Sequence, residues 1–378
     1  MTTDWRDEVG ALERFRNVER IAELRSLSQQ EAYTLENTAF AECASKEAYD
    51  AQCQALIPSQ PPSPRSPPPS STPGIQIGSF PNCTRIGSGI TSTVYRSASS
   101  ALKVIDSPTL PPHNAQREIH FLRTLAPTSA HLISLLSVFR DADQHLVLEF
   151  PYMPCSLSSL LAAHTTARTG LAAPLLRSLL RDIASALQSV HAHGVIHRDV
   201  KPSSILLASP TGPAYLADFS SSWHADINAD EPPAGKILDI GTGPWRAPEA
   251  LFGNKAYTSA LDMWALGTLV VECARSPPRS LFTSPGMNED GNQLGLILSI
   301  FKTLGTPTRE TWPEAAAFKT PPFDIYAVFE GLPADEIYAG IEPEFREIAE
   351  NLVVYESSKR WTADKLLQHL ALKDDKLR

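Results

Sequence analysis

Two aspartates that follow short apolar runs carry the strongest chemical signal in this sequence. Asp199 lies in the run His-Arg-Asp-Val-Lys-Pro at 197–202, and Asp218 lies in Ala-Asp-Phe-Ser at 217–220. Carboxylates are costly to place among apolar strands unless they have polar partners. One such group can orient and deprotonate a hydroxyl, and the other can hold Mg²⁺ across phosphate oxygens, because oxygen ligands suit this hard cation. The pair therefore predicts a site at which a hydroxyl meets a metal-bound phosphate.

A glycine-bearing turn and a lysine in an apolar strand precede the two aspartates. Gly87 and Gly89 would let the backbone approach a phosphate with its N–H groups free to donate, although Ser92 stands where a third glycine completes such loops. Lys103 needs an anionic partner in the strand Ala-Leu-Lys-Val, and Glu118 in the helical stretch 116–125 can supply it. Taken singly, each of these features also fits a purely structural role. The glycines would form a plain hairpin, Lys103 would lie on an edge strand, and Glu118 would be a solvated helix carboxylate.

Further motifs follow in a fixed order, with Ala-Pro-Glu at 247–249 and Asp-Met-Trp-Ala-Leu-Gly at 262–267. Together with the lysine and the two aspartates, they make the sequence resemble the eukaryotic protein kinase family over about residues 79–372. The resemblance implies an α+β, two-lobed protein kinase fold, with a small β-rich N-lobe and a larger α-helical C-lobe. It also implies that ATP and Mg²⁺ bind in the cleft between the lobes.

The resemblance assigns catalytic roles to individual residues. Lys103 would grip the α- and β-phosphates and would be held by Glu118. Asp199 would be the catalytic base, and Lys201 would contact the γ-phosphate, as in serine/threonine kinases. Thr242 would tie the activation segment, which lies between the motifs at Asp218 and Glu249, to Asp199 and Lys201 of the catalytic loop. Phosphoryl transfer depends mainly on positioning and charge stabilisation, which this set would provide.

The resemblance also implies a metal site and a nucleotide site. Asp218 would chelate Mg²⁺, and Ser204 occupies the position of the usual second ligand, an asparagine. The predicted nucleotide-binding residues belong to the phosphate loop, the adenine pocket, the gatekeeper and the hinge, and they are Gly87, Gly89, Val94, Ala101, Lys103, Leu148, Glu149, Pro151 and Leu206.

Two serines depart from the family pattern near the metal site. A hydroxyl at Ser204 is a weaker and shorter ligand than the asparagine amide, and Ser220 replaces the glycine that usually follows Asp-Phe, which restricts the backbone. These changes favour a pseudokinase or weakly active scaffold as the alternative function. The presence of Lys103, Asp199 and Asp218 favours an active enzyme.

The activation segment lacks the usual phosphorylation machinery. Counting back from Ala-Pro-Glu, the position of the usual phosphothreonine is Ile237. Of the three arginines that would bind the phosphate, Arg117 and Arg198 are present and Trp223 replaces the third. A phosphate orders such a loop by pairing with arginines. We therefore expect a segment that does not need phosphorylation. Gln116 replaces an isoleucine of the cyclin-anchoring helix, which makes dependence on a cyclin doubtful.

Two subgroups of cyclin-dependent-kinase-like enzymes fit the remaining motifs. The segments at 112–119 and 300–307 resemble the cyclin-facing helix and a later segment of the cyclin-dependent kinases. Arg246 favours another proline-directed kinase of that group, with a role in the cell cycle. Gly241, Gly243 and Pro244 alter the loop that recognises the substrate residue after the phosphorylated Ser or Thr. They favour the single-subunit fungal kinases that activate cyclin-dependent kinases. Those kinases work without a cyclin and without activation-loop phosphorylation.

Short strands and long helices must position these residues. The sequence predicts strands at 83–86, 92–96, 101–105 and 145–150, followed by helices after 156. One helix face is traced by apolar residues at three- and four-residue spacing, namely Leu176, Leu179, Leu180, Ile183, Leu187 and Val190. Strands first and helices later indicate an α+β fold.

The distribution of proline divides the chain. All 32 prolines lie at or after residue 58, and residues 58–73 hold eight of them with five serines. Such a segment cannot bury apolar area, although its Ser-Pro and Thr-Pro pairs could be phosphorylated. We expect a helical N-terminal extension at 1–57 with a second helix starting near 28, a Pro/Ser-rich linker at 58–78, a kinase domain at 79–372 and a tail at 373–378.

Composition limits the classes of partner. The net charge of −9 argues against a general nucleic-acid binder, and no apolar run approaches the ~18 residues that would span a bilayer. The N-terminus is charged, without the apolar region of a secretory signal, and the five cysteines show no metal-binding spacing. We expect a monomer in the cytoplasm or nucleus that binds protein substrates and no nucleic acid or membrane.

Overall fold

The protein is described from a computed structural model that covers residues 17, 18, 21, 29–43, 45–56, 74–284, 293–323 and 327–377. The chain divides into two compact units, residues 1–73 and 74–378, which are described separately. Within the described residues, no helix is both long enough and apolar enough to cross a membrane.

Among the described residues of the first unit, the helices with defined bounds are α1 Gln29–Glu42 and α2 Lys46–Ala55. Helix α1 begins close to residue 28, where the start of a second helix was predicted. Helix α2 begins after Ser45, whose Oγ accepts a hydrogen bond from the Ala48 N–H. The buried Tyr49 hydroxyl donates to Glu36 Oε1 at 2.7 Å, which links the two helices.

The second unit begins with a six-stranded antiparallel sheet. Its strands are β1 Ile75–Ile77, β2 Phe80–Ser88, β3 Ser92–Arg96, β4 Ser100–Ile105, β7 Ser137–Arg140 and β8 Leu146–Pro151. They lie in the order β1-β2-β3-β4-β8-β7. A small hairpin is formed by β5 Thr109–Leu110 and β6 His113–Asn114. All four strands predicted from the sequence are present. Leu102 and Val104 of β4 are buried in the core of this lobe, so the alternating residues Ala101 and Lys103 lie on the opposite face of the strand.

The helices follow the strand-rich part, apart from α3. They are α3 Ala115–Leu125, α4 Leu157–Ala167, α5 Ala173–Ala192, α6 Pro248–Leu251, α7 Ala260–Ala274, α8 Gln293–Leu304, α9 Ala334–Ile337, α10 Pro343–Leu352 and α11 Ala363–Leu377. The predicted apolar face of α5 is buried. Helix α7 is apolar around most of its circumference and forms the centre of the C-lobe. The α+β prediction, with a β-rich N-lobe and a helical C-lobe, is confirmed.

A second small sheet lies next to the helices. Strand β10 Ile205–Leu207 pairs with both β9 Cys155–Ser156 and β11 Ala214–Leu216. In the antiparallel β10–β11 pair, Ile205 lies opposite Leu216. The chain entering β10 and the chain leaving β11 therefore lie side by side, and each of them carries one of the two predicted aspartates.

Candidate active site

The lysine of β4 lies between two carboxylates. Lys103 Nζ donates to both oxygens of Glu118, at 2.8 Å each, and to Asp218 Oδ1 at 3.0 Å. Glu118 lies in the first turn of α3, which begins at the Asn114 cap. Burial alone would lower the pKa of Lys103, but the charges of Asp218 and Glu118 raise it above its ordinary value. The lysine is therefore charged, and it joins the sheet, helix α3 and the segment that follows β11.

A second network surrounds the aspartate of the catalytic loop. Asp199 Oδ1 accepts a hydrogen bond from Thr242 Oγ1 at 2.7 Å, and Asp199 Oδ2 pairs with Lys201 Nζ at 2.8 Å. Lys201 Nζ also donates to Thr242 Oγ1 at 2.8 Å. The three side chains form a closed triangle, so the activation segment is tied to the catalytic loop at Thr242. These are the contacts that the sequence predicted for Thr242.

A buried carboxylate from α7 fixes the catalytic-loop backbone. Asp262 accepts hydrogen bonds from the backbone N–H groups of His197 and Arg198, at 2.9 and 2.8 Å, and lies 2.9 Å from His191 Nε2. Burial would raise the pKa of Asp262, but the hydrogen bond and charge of His191 lower it overall. Arg198 has a φ of 72°, a conformation that residues other than glycine rarely adopt. The two hydrogen bonds to Asp262 hold the backbone in this strained form.

The segment after β11 also contains a residue other than glycine with a positive φ. Asp218 has a φ of 64°, and Phe219 is fully buried with its ring 4.8 Å from that of His197. Ser220 Oγ donates to Asp218 Oδ1 at 2.8 Å and lies 3.0 Å from His113 Nδ1. Ser220 itself does not have a positive φ, so serine is tolerated at the position where the pattern has glycine. His113 was not among the predicted site residues, and its pKa is lowered chiefly by burial.

The two predicted metal ligands, Asp218 and Ser204, differ in how accessible their side-chain oxygens are. The Asp218 side chain is 40% exposed, and its pKa is lowered because the charge and hydrogen bond of Lys103 outweigh the effect of burial. Ser204 is only 2% exposed, and its hydroxyl accepts from the Lys201 N–H at 3.0 Å and donates to the Lys201 carbonyl at 2.9 Å. Asp218 therefore fits a Mg²⁺ ligand, whereas the Ser204 hydroxyl is engaged in its own turn. A ligand role for Ser204 stays a prediction.

A cleft of about 300 Å³ opens between the lobes beside these networks. Its lining includes Gly89, Lys103, Asp199, Asp218 and Thr242. The glycine-bearing turn of β2 and β3 lies at one wall, where Gly89 N–H donates to the Ser92 carbonyl at 2.8 Å. The predicted catalytic residues of both lobes therefore meet at one opening.

The two glycines of this turn are not required by the protein's own packing. Among the described residues, a Cβ built on Gly87 would meet no heavy atom within 4 Å, and one on Gly89 would meet only the Ser92 carbonyl oxygen at 3.9 Å. Neither glycine has a positive φ in the described backbone. The turn thus leaves open space above both residues.

Apolar residues of the predicted nucleotide site lie on neighbouring strands. Val94 and Leu148 are each the direct cross-strand partner of Lys103, on β3 and β8. Ala101 lies two residues before the lysine on the same face of β4. Leu148 is fully buried, and Leu206 on β10 is half-buried. The register of the sheet therefore brings Val94, Ala101 and Leu148 to the strand face that carries the lysine.

The predicted hinge remains part of β8. Glu149 is held by two serines, because its Oε1 accepts from Ser100 Oγ and its Oε2 from Ser137 Oγ, each at 2.7 Å. Pro151 is the last residue of the strand. Proline has no backbone N–H, so Pro151 can offer a bound base only its carbonyl.

The loop before α6 has an unusual backbone. Gly241 and Gly243 have φ values of 75° and 40°, and a Cβ on Gly241 would lie 3.2 Å from Arg246 Cγ. The Arg246 guanidinium donates to Asp239 Oδ1 at 3.1 Å. In the first turn of α6, Glu249 forms a buried pair with Arg360, with N–O distances of 2.6 and 2.8 Å.

Comparison with known proteins agrees with the resemblance to protein kinases. The model of the protein kinase domain family matches residues 80–371. Serine/threonine-protein kinase csk1 of Schizosaccharomyces pombe is 32% identical over 251 residues, which cover 65% of this chain and 76% of that kinase. Cyclin-dependent kinase B2-1 of Oryza sativa is 28% identical over 299 residues, covering 75% and 87% of the two chains. Serine/threonine-protein kinase CAK1 of Saccharomyces cerevisiae is 26% identical over 358 residues, covering 76% and 97%.

Proposed function

This chain belongs to the protein kinase family and is a serine/threonine kinase, and on that premise we propose that its substrate is a cyclin-dependent kinase, which it activates. The observation that carries the catalytic part is the closed triangle of Asp199, Lys201 and Thr242. Together with the Lys103–Glu118 pair, it supports an enzyme whose catalytic groups are already in position.

The geometry supports a specific division of labour. Asp199 presents a carboxylate fixed at both oxygens, which would orient the substrate hydroxyl and accept its proton. Lys201, next to it, would contact the phosphoryl group that is transferred, and Lys103, held by Glu118, would contact the other phosphates. Asp218 would hold Mg²⁺, which when bound neutralises phosphate charge.

The glycine turn and the adenine pocket support ATP as the phosphoryl donor. Since the described packing does not require glycine at 87 or 89, close approach of a phosphate gives a reason for both. Val94, Ala101 and Leu206 would contact the adenine ring, with Leu148 as the gatekeeper. The hinge would bind the base through backbone groups from Glu149 to Pro151.

The choice of substrate rests on the loop before α6. Gly241 and Gly243 give this loop a backbone path that other residues rarely adopt, which supports the activating subgroup over a proline-directed kinase. Arg246 matches the wider cyclin-dependent group and supports the alternative. Gln116 is exposed on α3, where the cyclin-facing helix of that group has an apolar residue, so we propose activity without a cyclin.

The experiment offers the purified full chain and Mg-ATP two kinds of substrate, an inactive cyclin-dependent kinase and Ser/Thr-Pro peptides. The control enzyme is Asp218→Asn. We expect phosphate on the activation loop of the kinase substrate without added cyclin. No incorporation above the control would overturn the enzyme function, and incorporation only into the peptides would overturn the activating role.

The alternative, a pseudokinase scaffold, is favoured by the engaged hydroxyl of Ser204. Ser204→Asn distinguishes the two, because an asparagine amide reaches further and could supply the second metal ligand. We expect a large gain in rate at low Mg²⁺ and little change at high Mg²⁺, measured as a Mg²⁺ titration of kcat. An enzyme that is inactive at every Mg²⁺ concentration, with or without the substitution, would support the scaffold.

A further inference from the structure

A glutamate of the activation segment lies between two arginines that come from different parts of the fold. Arg198 of the catalytic loop donates to Glu231 through Nη1 at 2.6 Å and through Nη2 at 3.3 Å. Arg117 of α3 donates to Glu231 Oε1 at 3.3 Å. One carboxylate therefore joins three segments: the activation segment, helix α3 and the catalytic loop.

The surroundings of Glu231 use both of its oxygens. Oε1 also accepts from Asn228 Nδ2 at 3.2 Å, and Oε2 accepts from the Ile237 N–H at 3.0 Å. The Glu231 carbonyl accepts from Trp223 Nε1 at 2.8 Å. The residue is only 2% exposed. Burial would raise the pKa of Glu231, but the hydrogen bond and charge of Arg198 lower it, so the carboxylate is ionised at neutral pH.

The positions of the two arginines connect this carboxylate to catalysis. Arg117 immediately precedes Glu118, the partner of Lys103, and Arg198 immediately precedes Asp199. We propose that Glu231 is a positioning residue that supplies, in place of a phosphorylated side chain, the negative charge that holds helix α3, the catalytic loop and the activation segment together. The inference rests on the proposed kinase function and adds the means by which an unphosphorylated segment is held in place.

The charges support a carboxylate in this role. A phosphate monoester carries nearly two negative charges at neutral pH, and a carboxylate carries one. The third arginine position is occupied by Trp223, a neutral residue whose indole N–H binds the Glu231 backbone. The site therefore has two arginines in place of three, and the Lys236 ammonium lies 4.3 Å from the centre of the Trp223 ring. Ile237, at the position of the usual phosphothreonine, binds Glu231 through its N–H, so the loop brings the glutamate to the arginines from six residues earlier in the chain.

A neighbouring residue provides a matched control. Asp230 lies 3.5 Å from Arg117 Nη1 but is 73% exposed. Water screens an exposed pair of this kind, so its contribution is small. Glu231→Gln and Asp230→Asn each convert a carboxylate to an amide of similar size, one residue apart.

The test measures kcat and the KM for ATP in the wild type, Glu231→Gln, Glu231→Asp and Asp230→Asn full chains. We expect Glu231→Gln to lower kcat by roughly tenfold to a hundredfold, because small misplacement of catalytic groups has effects of that size. The KM for ATP should change less than kcat. Glu231→Asp should recover part of the loss, and Asp230→Asn should match the wild type. A kcat for Glu231→Gln within twofold of the wild type overturns the inference.

Hydrogen–deuterium exchange provides a measurement that does not need turnover. In Glu231→Gln, amides of residues 223–240 and the first turn of α3 should exchange faster, while the centre of α7 stays protected. Unchanged exchange in the folded variant overturns the inference even if the wild type shows no kinase activity, and such inactivity would count against the proposed function alone. If Glu231→Gln does not fold, Arg117→Met removes the link to α3 and keeps the Arg198 pair; a wild-type kcat in that variant overturns the inference.

Mass spectrometry of the active wild-type enzyme tests the replacement of a phosphate directly. We expect full activity in molecules that carry no phosphate on residues 218–249. Activity confined to molecules phosphorylated within this segment overturns the inference.

Discussion

Two charge clusters, one that lines the cleft and one buried around the activation segment, use similar groups in different ways. In the cleft, Lys103 pairs with Glu118 and Asp218. In the buried cluster, Glu231 pairs with Arg198 and Arg117. Asp218 is 40% exposed, whereas Glu231 is 2% exposed and has donors on both oxygens. The cleft cluster therefore keeps acceptor capacity for a ligand, and the buried cluster uses its capacity within the protein.

Because of this difference, substitutions in the cleft cluster should mainly affect activity, and substitutions in the buried cluster should also affect stability. A ligand-facing carboxylate has partners outside the protein, so its removal should affect turnover more than folding. A carboxylate whose partners are all internal leaves buried cations behind when it is removed, and uncompensated buried charge destabilises the fold strongly. The following experiments test that separation, in order of expected effect.

Asp218→Asn should have the largest effect on activity. We expect kcat to fall by roughly 10³-fold or more, because charge stabilisation of the transferring phosphoryl group is worth effects of this size. The midpoint of thermal unfolding should change little, since Lys103 keeps Glu118 as a partner. A large drop in thermal stability would contradict the separation between the two clusters.

Arg198→Met should have the largest effect on stability. It removes the shortest charged contact of buried Glu231 and leaves the longer bond from Arg117 with the neutral donors Asn228 and Ile237. Loss of one partner of a buried pair typically costs about 3–5 kcal/mol. Urea unfolding measures the change. Arg346→Met is the control: Arg346 forms short pairs with Asp335 and Glu350 at the surface, where water screens the charges, so its loss should change the free energy of unfolding little. Equal losses from both substitutions would contradict the prediction.

The buried cluster should weaken at high pH. Burial raises the pKa of Tyr257, whose hydroxyl accepts from Arg198, to about 12. Because the unfolded value is about 10, the tyrosine's contribution to stability is complete below pH 10 and is lost as the pH rises through 12. By pH 12, the free energy of unfolding should have fallen by about 2 kcal/mol through this group. Tyr257→Phe should lose less stability than the wild type between pH 10 and 12 in urea titrations. Parallel pH profiles for the two proteins would be evidence against this contribution.

Ser220→Gly should have the smallest effect. Its hydroxyl donates to Asp218 Oδ1, which also accepts from Lys103. Removing the hydroxyl should therefore open one acceptor position on that oxygen for the metal. We expect the Mg²⁺ concentration at half-maximal rate to fall by about threefold, consistent with one hydrogen bond on a partly exposed group. A rise in that concentration would show that the serine supports the metal site.

Much of the cleft could be predicted because its residues lie within short motifs. Lys103, Asp199 and Asp218 each stand in a run whose strand and loop pattern is local, and antiparallel pairing of β10 with β11 brings the two aspartates together. Four of the strands before residue 151, β2, β3, β4 and β8, were also predicted, because apolar and turn residues mark them within a few positions. The short strands β1, β5, β6 and β7 were not predicted.

The buried cluster could not be predicted in the same way. Counting from Ala-Pro-Glu identified Ile237 as the position opposite the arginines, but the path of an irregular loop is set by tertiary contacts and not by local pattern. Trp223, noted only as a missing arginine, binds the Glu231 backbone. The one local signal is a carboxylate directly before two prolines at 232 and 233, which a sequence alone does not connect to α3.

The chemical permanence of Glu231 has a consequence for how a cell could control this enzyme. A phosphate ester can be hydrolysed by a phosphatase, but the side-chain carboxylate of a glutamate is formed at translation and persists for the life of the molecule. An enzyme held in its working form by such a group has no dephosphorylated off state at this position. Its output would follow the amount of protein made and degraded, its location and the supply of its substrates.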